Sequence, residues 1–248
     1  MPSISVITPT CNRPVTFALL ERWMARQTLA PTEWIVVDGG QVPVRCTLGQ
    51  MHLHQPAPPG VANFHANLER GIQAATGDLI IIMEDDDWYA STHLETMVAK
   101  LVQPEVTIAG DDQQRYYNLE HCCWRHMQNR GAALCQTGFH RALVPTFLDV
   151  IAGRRARVHS ANPTERTRAI GVDAYLWQSQ PRSAWALTRM ATVVGMKGLP
   201  GQPGLGVGHR PARGWTPDPD GRQLQAWVGA QDQALYTHLG LTPAPDVE

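Results

Sequence analysis

Short β-branched runs alternate along the first half of the chain with stretches whose apolar residues recur at helical spacing. "SISVIT" has the makings of a buried strand, and "RPVTFALLERWMARQ" that of an amphipathic helix after a turn at Asn12 to Pro14. "EWIVVDGG" predicts a second strand that stops at Asp38 and a glycine pair. "PPGVANFHANLERGIQAATG" predicts a Pro-Gly turn, a helix from about Val61 to Ala75 and a stop at Gly77. "DLIIIM" is a third strand and "THLETMVAKLV" another helix. Strand, helix, strand, helix, strand with short connections implies parallel pairing through right-handed crossovers, so the fold class is α/β with a doubly wound, Rossmann-like sheet over about the first 110 residues. Ligands in such sheets bind beyond the carboxyl ends of the strands, here "TPTCNR", "DGG" and "EDDD".

Beyond Leu101 the pattern is less regular and predicts a smaller, mixed region. "EVTIAG" and "QRYYNLE" suggest strands, "CQTGFHRALVPTFLDVIAG" a strand and a helix, "GVDAYLWQS" a helix start and "AWALTRMATVVGMKG" one or two strands. "LPGQPGLGVGHRPARGWTPDPDG" is a Gly/Pro-rich loop long enough to suggest function, and the closing "RQLQAWVGAQDQALYTHLG" looks helical. At 248 residues the chain suits one domain, with 1–110 a ligand-binding half, 111–210 a second half ending in the Gly/Pro-rich loop, and 211–248 a helical segment.

Composition narrows the chemistry little: 43% hydrophobic residues and a net charge of −1 carry no general bias toward membrane or nucleic acid. The charge is unevenly spread, with six basic and ten acidic residues up to Lys100 and fifteen basic and twelve acidic after it. The Arg-rich stretch with Arg141, Arg154, Arg155, Arg157, Arg166 and Arg168 reads as a solvated face in a chain that uses nineteen Arg and two Lys. Five cysteines without C-x-x-C spacing argue against a disulfide framework and a zinc ribbon, "HCCWRH" included, and point to a reducing compartment. "MPSISVITPT" lacks the features of a signal peptide and "DLIIIM" is too short to span a bilayer, which predicts a cytoplasmic protein.

One feature demands chemistry. In "IIIMEDDDWY" four apolar residues run into Glu84, Asp85, Asp86 and Asp87, whose charges repel one another and lose hydration beside a core. Acids so placed can converge on a hard divalent cation, Mg²⁺ or Mn²⁺, that bridges to a diphosphate. Helix capping near Ser91 would account for one or two of them, not for four.

"SVITPTCNRP", "EWIVVDGG", "ATGDLIIIMEDDDWY" and "GVDAYLWQS", in that order from Ser3 to Trp177, resemble the nucleotide-sugar glycosyltransferases of family 2, which have the GT-A fold. The resemblance implies an inverting, metal-dependent transfer of a sugar from a nucleoside diphosphate sugar, most often UDP-linked, to an acceptor hydroxyl. It implies that Pro9, Thr10, Asn12 and Arg13 line the nucleotide pocket, that Asp38 accepts a hydrogen bond from the base, and that Asp85 lies near the ribose or donor sugar. Asp86 would ligate Mn²⁺ or Mg²⁺, with His209 from the Gly-rich loop as a further ligand. Arg210, with Arg213 and Lys197 nearby, would contact the diphosphate. Asp173 would be the base that deprotonates the acceptor, with Asp232 the competing candidate. Trp88 and Tyr89 suit either a sugar platform or the core, and His52 and His54 suit structural roles. The acceptor stays open among a glycan, a small molecule and a hydroxylated base in DNA. A non-catalytic nucleotide-sugar binding module is the alternative from another class. A nucleotidyltransferase is disfavoured because "TPTCNRP" stands where a Gly-rich loop and Lys would be.

Overall fold

The structure is a computed structural model that describes residues 1–128, 131–160, 162, 171–201, 204 and 214–239. The alternation expected at the start is present as β1 (Ile4–Thr10), α1 (Pro14–Ala25), β2 (Glu33–Asp38), β3 (Met51–His54), α2 (Val61–Ala74) and β4 (Leu79–Ile82). β1 pairs in parallel with both β2 and β4, and β2 in parallel with β3. The sheet continues through β6 (Ile108–Asp111), β9 (Thr137–His140) and β10 (Trp185–Thr188), in the order β10-β6-β9-β4-β1-β2-β3. β9 runs antiparallel between β4 and β6, an insertion that local periodicity does not specify.

Both faces of this sheet are covered, which is why its strands are apolar throughout rather than alternating with polar residues. Val6, Val36, Leu79, Ile81 and Ala109 pack with Phe17, Leu20 and Trp23 of α1 and with Leu94, Met97 and Leu101 of α3 (His93–Leu101). Ile7, Ile35, Val37, Ile80 and Ile82 face the other way, onto Leu68 and Ile72 of α2, Phe147 and Ile151 of α4 (Val144–Arg155), and Leu176 of α5 (Val172–Gln178). Consecutive residues of β4 thus serve opposite cores, as the period of two requires. Gly71 lets α2 lie directly on β1, since a Cβ there would stand 2.5 Å from Ile7 Cγ2.

A second sheet joins β5 (Trp88–Tyr89), β11 (Val193–Lys197), β7 (Gln113–Asn118), β8 (Cys123–Gln128) and β12 (Thr216–Pro217) in the order β12-β8-β7-β11-β5. Its pairing is mixed, parallel between β11 and β7 and antiparallel elsewhere. The chain therefore leaves the first sheet at Ile82 and enters the second at Trp88, and the four acids lie in the passage between them. The C-terminal helical expectation divides into α6 (Arg222–Val228) and α7 (Ala230–His238), broken at Gly229, where φ is +83°. No helix among the described residues is long and apolar enough to cross a membrane.

Candidate functional site

Three strand ends converge as anticipated. β1 ends at Thr10, whose hydroxyl donates to Asp85 Oδ2 at 2.6 Å. Arg13, just before α1, places Nη1 2.6 Å from Asp85 Oδ1 and 3.3 Å from Asp86 Oδ2. Asn12 between them adopts φ +54°, a left-handed conformation that asparagine tolerates, and its Oδ1 accepts the Gln41 N–H at 2.9 Å. At the end of β2 the fully buried Asp38 accepts the N–H groups of Gly40 and Val44 at 2.7 and 2.8 Å, with His52 Nε2 3.5 Å away. Both Asp38 oxygens thus shape the 39–44 loop. His54 Nε2 meets the Gly40 carbonyl at 2.8 Å, a structural role like that of His52.

Two residues of this edge were not singled out from sequence. Asn67 Nδ2 donates to the Thr10 carbonyl at 3.0 Å, and Asn63 Nδ2 reaches the carbonyls of Ala57, Pro58 and Gly39. They stand four apart on α2, so one helix face secures the loops after β1 and β2. That spacing in "NFHAN" was the available signal.

The acids find their positive partners within the protein. Asp85 is held by Arg13 and Thr10, while Asp87 Oδ1 accepts the Met196 N–H at 3.1 Å and lies 3.5 Å from Lys197 Nζ. Lys197, expected to meet diphosphate, is buried and turned to this carboxylate instead. Burial opposes the charges of Arg13 and Lys197, but the adjacent acids outweigh it and hold both pKa values well above normal. Burial raises Glu84 strongly, with the charges of Asp87 and Asp86 adding to it. It also raises Asp85, against Arg13, and Asp87 to about 6, against Lys197. Among the described residues Arg13 and Lys197 are cations paired with these acids, and Asp87 Oδ2 is buried with no hydrogen bond. The Cys135 thiol completes a cluster in which Glu84, Asp87 and Cys135 bring donor atoms within 4.8 Å of one another. Burial, then the charges of Asp87 and Glu84, push that thiol's pKa well up. It is a neutral neighbour rather than a thiolate ligand. All five cysteines are free.

Asp173 occupies the first turn of α5, where its Oδ1 accepts the Ala174 N–H at 2.8 Å. Burial raises its pKa, opposed by backbone N–H groups that include Leu134. Leu134 begins the one-turn 3₁₀ segment Leu134–Gln136, whose next residue is Cys135 beside Asp87. One short turn therefore connects Asp173 to the acidic passage. Asp232 is engaged at the far end of the passage: buried, it accepts Trp88 Nε1 at 2.7 Å and Arg26 at 2.6 Å, fastening α7 to the core. Trp88 and Tyr89 belong to that core, and Tyr89 Oη accepts the Glu84 N–H at 2.7 Å. Pro9 is the buried penultimate residue of β1. His209, Arg210 and Arg213 lie outside the described residues. The start of their loop is in place, with a Cβ on Gly201 reaching 3.0 Å from the Asn12 carbonyl.

Residues 59–161, which carry α2, β4, the four acids, β9 and α4, match the profile of Glycosyl transferase family 2. By this central segment the chain is similar to glycosyl transferase family 2. It is 35% identical over 108 residues to the uncharacterized glycosyltransferase YwdF of Bacillus subtilis (strain 168), covering 40% of this chain and 38% of that protein. The chain thus spans less than half the length of this curated relative. Staphylococcal structures share the fold: S. aureus TarS superposes with a TM-score of 0.52 at 14% identity, over 78% of this chain and 36% of that one. TarS 1–349 in complex with UDP gives 0.50 at 13% identity, over 78% and 60%. The architecture of this chain is GT-A. Thr10, Arg13 and Lys197 fall outside the segment matched by the family profile, and the tertiary structure is what brings them to the acids.

Proposed function

We propose that this chain transfers a sugar from a nucleoside diphosphate sugar to an acceptor hydroxyl, with inversion at the anomeric carbon and the help of a divalent cation. The observation that supports the reading is the Leu134–Gln136 turn, which has Cys135 beside the acidic passage and the Leu134 backbone acting on Asp173, so that a carboxylate base and a cation-binding loop would share one sheet edge.

The residues present fit a divalent ion. Four adjacent carboxyls held in a buried passage repel one another and supply hard oxygens, which suit Mg²⁺ or Mn²⁺. Asp86 would hold it, with Asp85 and the unsatisfied Asp87 oxygen close by. When bound, the ion supplies stabilisation of the negative charge that grows on the diphosphate leaving group. The nucleotide would lie over Pro9 to Arg13 and the 39–44 loop that Asp38 shapes. Arg13 is positioned to exchange part of its carboxylate contact for diphosphate oxygens. Asp173 would take the proton from the acceptor hydroxyl as it attacks, on the face opposite the leaving group. Its raised pKa makes it a better base than an exposed aspartate. UDP is the first nucleotide to test, because TarS 1–349, which shares the fold, was solved with UDP.

A thermal-shift panel of UDP, GDP, UDP-glucose and GDP-mannose, each with and without Mn²⁺, tests the reading. One nucleotide should raise Tm only with metal, by an amount equivalent to about 2.7 kcal/mol at a hundredfold excess over Kd. Asp86→Ala should remove the effect. Absence of any shift, or a metal-independent shift that survives Asp86→Ala, overturns it.

A further inference from the structure

The buried aromatic side chains of both sheets are absorbed into the two cores, but Tyr116 of β7 is not. It is half-buried and belongs to neither core cluster, whereas its neighbour Tyr117 points the other way and is fully buried. Its ring lies against β11 at Gly195, its parallel-strand partner, where a Cβ would stand 2.5 Å from Cδ1 and 2.8 Å from Cε1. Gly195 has ordinary backbone geometry, so the glycine there serves to admit the ring. The hydroxyl donates to Gln114 Oε1 at 3.1 Å, two residues back on the same strand face, so this polar end is already engaged. Lys197 Nζ stands 5.8 Å from the ring centroid and 3.5 Å from Asp87 Oδ1. Burial raises the phenol's pKa, with the charges of Asp87 and Asp173 adding to it and Lys197 opposing it.

An aromatic ring seated on a glycine, with its hydroxyl engaged and within reach of both the cation-binding acids and the candidate base, is suited to holding what lies between them. We infer that Tyr116 is the acceptor platform, its ring packing against the pyranose ring that carries the attacking hydroxyl. Sugar C–H groups are complementary to the negative face of an aromatic ring, and the contact orients a hydroxyl without using the groups that carry out the chemistry. The inference rests on the glycosyl-transfer reading and adds to it a class of acceptor, a sugar ring rather than an open-chain alcohol, and the residue that selects it.

The test uses the full chain with UDP-glucose and GDP-mannose in Mn²⁺, scored by release of nucleoside diphosphate. It is run without acceptor, with glycerol, and with a panel of methyl glycopyranosides. A wild-type protein that releases no nucleoside diphosphate under any condition overturns the glycosyl-transfer reading itself. If release occurs, at least one glycopyranoside should accelerate it well beyond glycerol. Tyr116→Leu should then raise that acceptor's KM about 5- to 10-fold, while Tm stays near wild type. Tyr116→Phe, which keeps the ring and loses only the bond to Gln114, should leave KM within about twofold. Acceptor-free release unaltered in Tyr116→Leu together with an unchanged acceptor KM overturns the platform and leaves the glycosyl-transfer reading standing. So does equal acceleration by glycerol and every glycopyranoside. If Tyr116→Leu lowers Tm, the Phe variant decides: a KM raised as far as in the Leu variant overturns the role of the ring.

Discussion

Arg13 Nη1 lies 2.6 Å from Asp85 Oδ1, joining the turn before α1 to the acidic passage across 72 residues of sequence. This is a buried ion pair, with the side chains 15% and 1% exposed, and the same nitrogen is 3.3 Å from Asp86. Removing the cation takes a positive partner from both Asp85 and Asp86, with Thr10 still donating to Asp85. Arg13→Met is expected to cost about 3 kcal/mol in urea unfolding. Mn²⁺ should recover more of the stability of this variant than of the wild type, because the ion restores the missing positive charge. Equal metal responses in the two proteins would separate Arg13 from the cation site.

Asp173 and Asp232 should separate cleanly. Asp173→Asn keeps an oxygen for the Ala174 N–H and removes the proton acceptor, so turnover should fall at least about 100-fold with nucleotide binding intact. Asp232→Ala leaves Trp88 Nε1 buried without an acceptor and frees Arg26. It should cost about 2 kcal/mol of stability, while turnover per folded molecule persists. The paired readout is denaturation together with nucleoside diphosphate release.

Burial raises the Asp111 pKa to about 7, and its Oδ2 is buried without a partner. Between the ordinary carboxylate range and pH 7 the folded protein retains a proton that the unfolded chain has lost, so this group makes stability fall as pH rises. Asp111→Asn keeps the acceptor for the Gln113 N–H and does not titrate. Its stability relative to wild type should therefore be near zero at about pH 4 and favourable by about pH 8. His93, whose pKa burial lowers to about 3, works in the opposite direction: its contribution is lost as pH falls from the ordinary histidine range toward 3. It is present in both proteins and cancels in the comparison. A difference that does not change with pH would refute the assignment to Asp111.

Gly71→Ala sets helix propensity against packing. Alanine favours an α-helix over glycine by about 1 kcal/mol, yet the new Cβ would stand 2.5 Å from Ile7 Cγ2 and 3.1 Å from Val37 Cγ2. Overpacking of this kind costs roughly 1–3 kcal/mol, so the substitution should be net destabilising by equilibrium unfolding. A stabilised variant would show that α2 can move away from β1.

Much of the fold was legible because it is locally encoded. β-branched runs marked β1, β2 and β4, amphipathic spacing marked α1, α2 and α3, and the acids at the end of "IIIM" marked the sheet edge that matters. The antiparallel entry of β9 between β4 and β6 was not legible, since a four-residue strand carries no record of its neighbours. The closing helical stretch concealed a break, because a single glycine in a periodic pattern does not announce a φ of +83°.

The site divides along the same line. The sequence by itself determined that four carboxyls end a buried strand and therefore require positive charge, because burial and mutual repulsion penalise them wherever the rest of the chain goes. Only the tertiary structure decided that Arg13 and Lys197 pair with them, that Asp232 is engaged by Trp88 and Arg26 while Asp173 lies by the Leu134–Gln136 turn, and that Tyr116 stands free of both cores. Those outcomes depend on contacts between residues as many as 144 positions apart. Local periodicity sets which face of an element is apolar, but strand register and sheet order set which side chains meet.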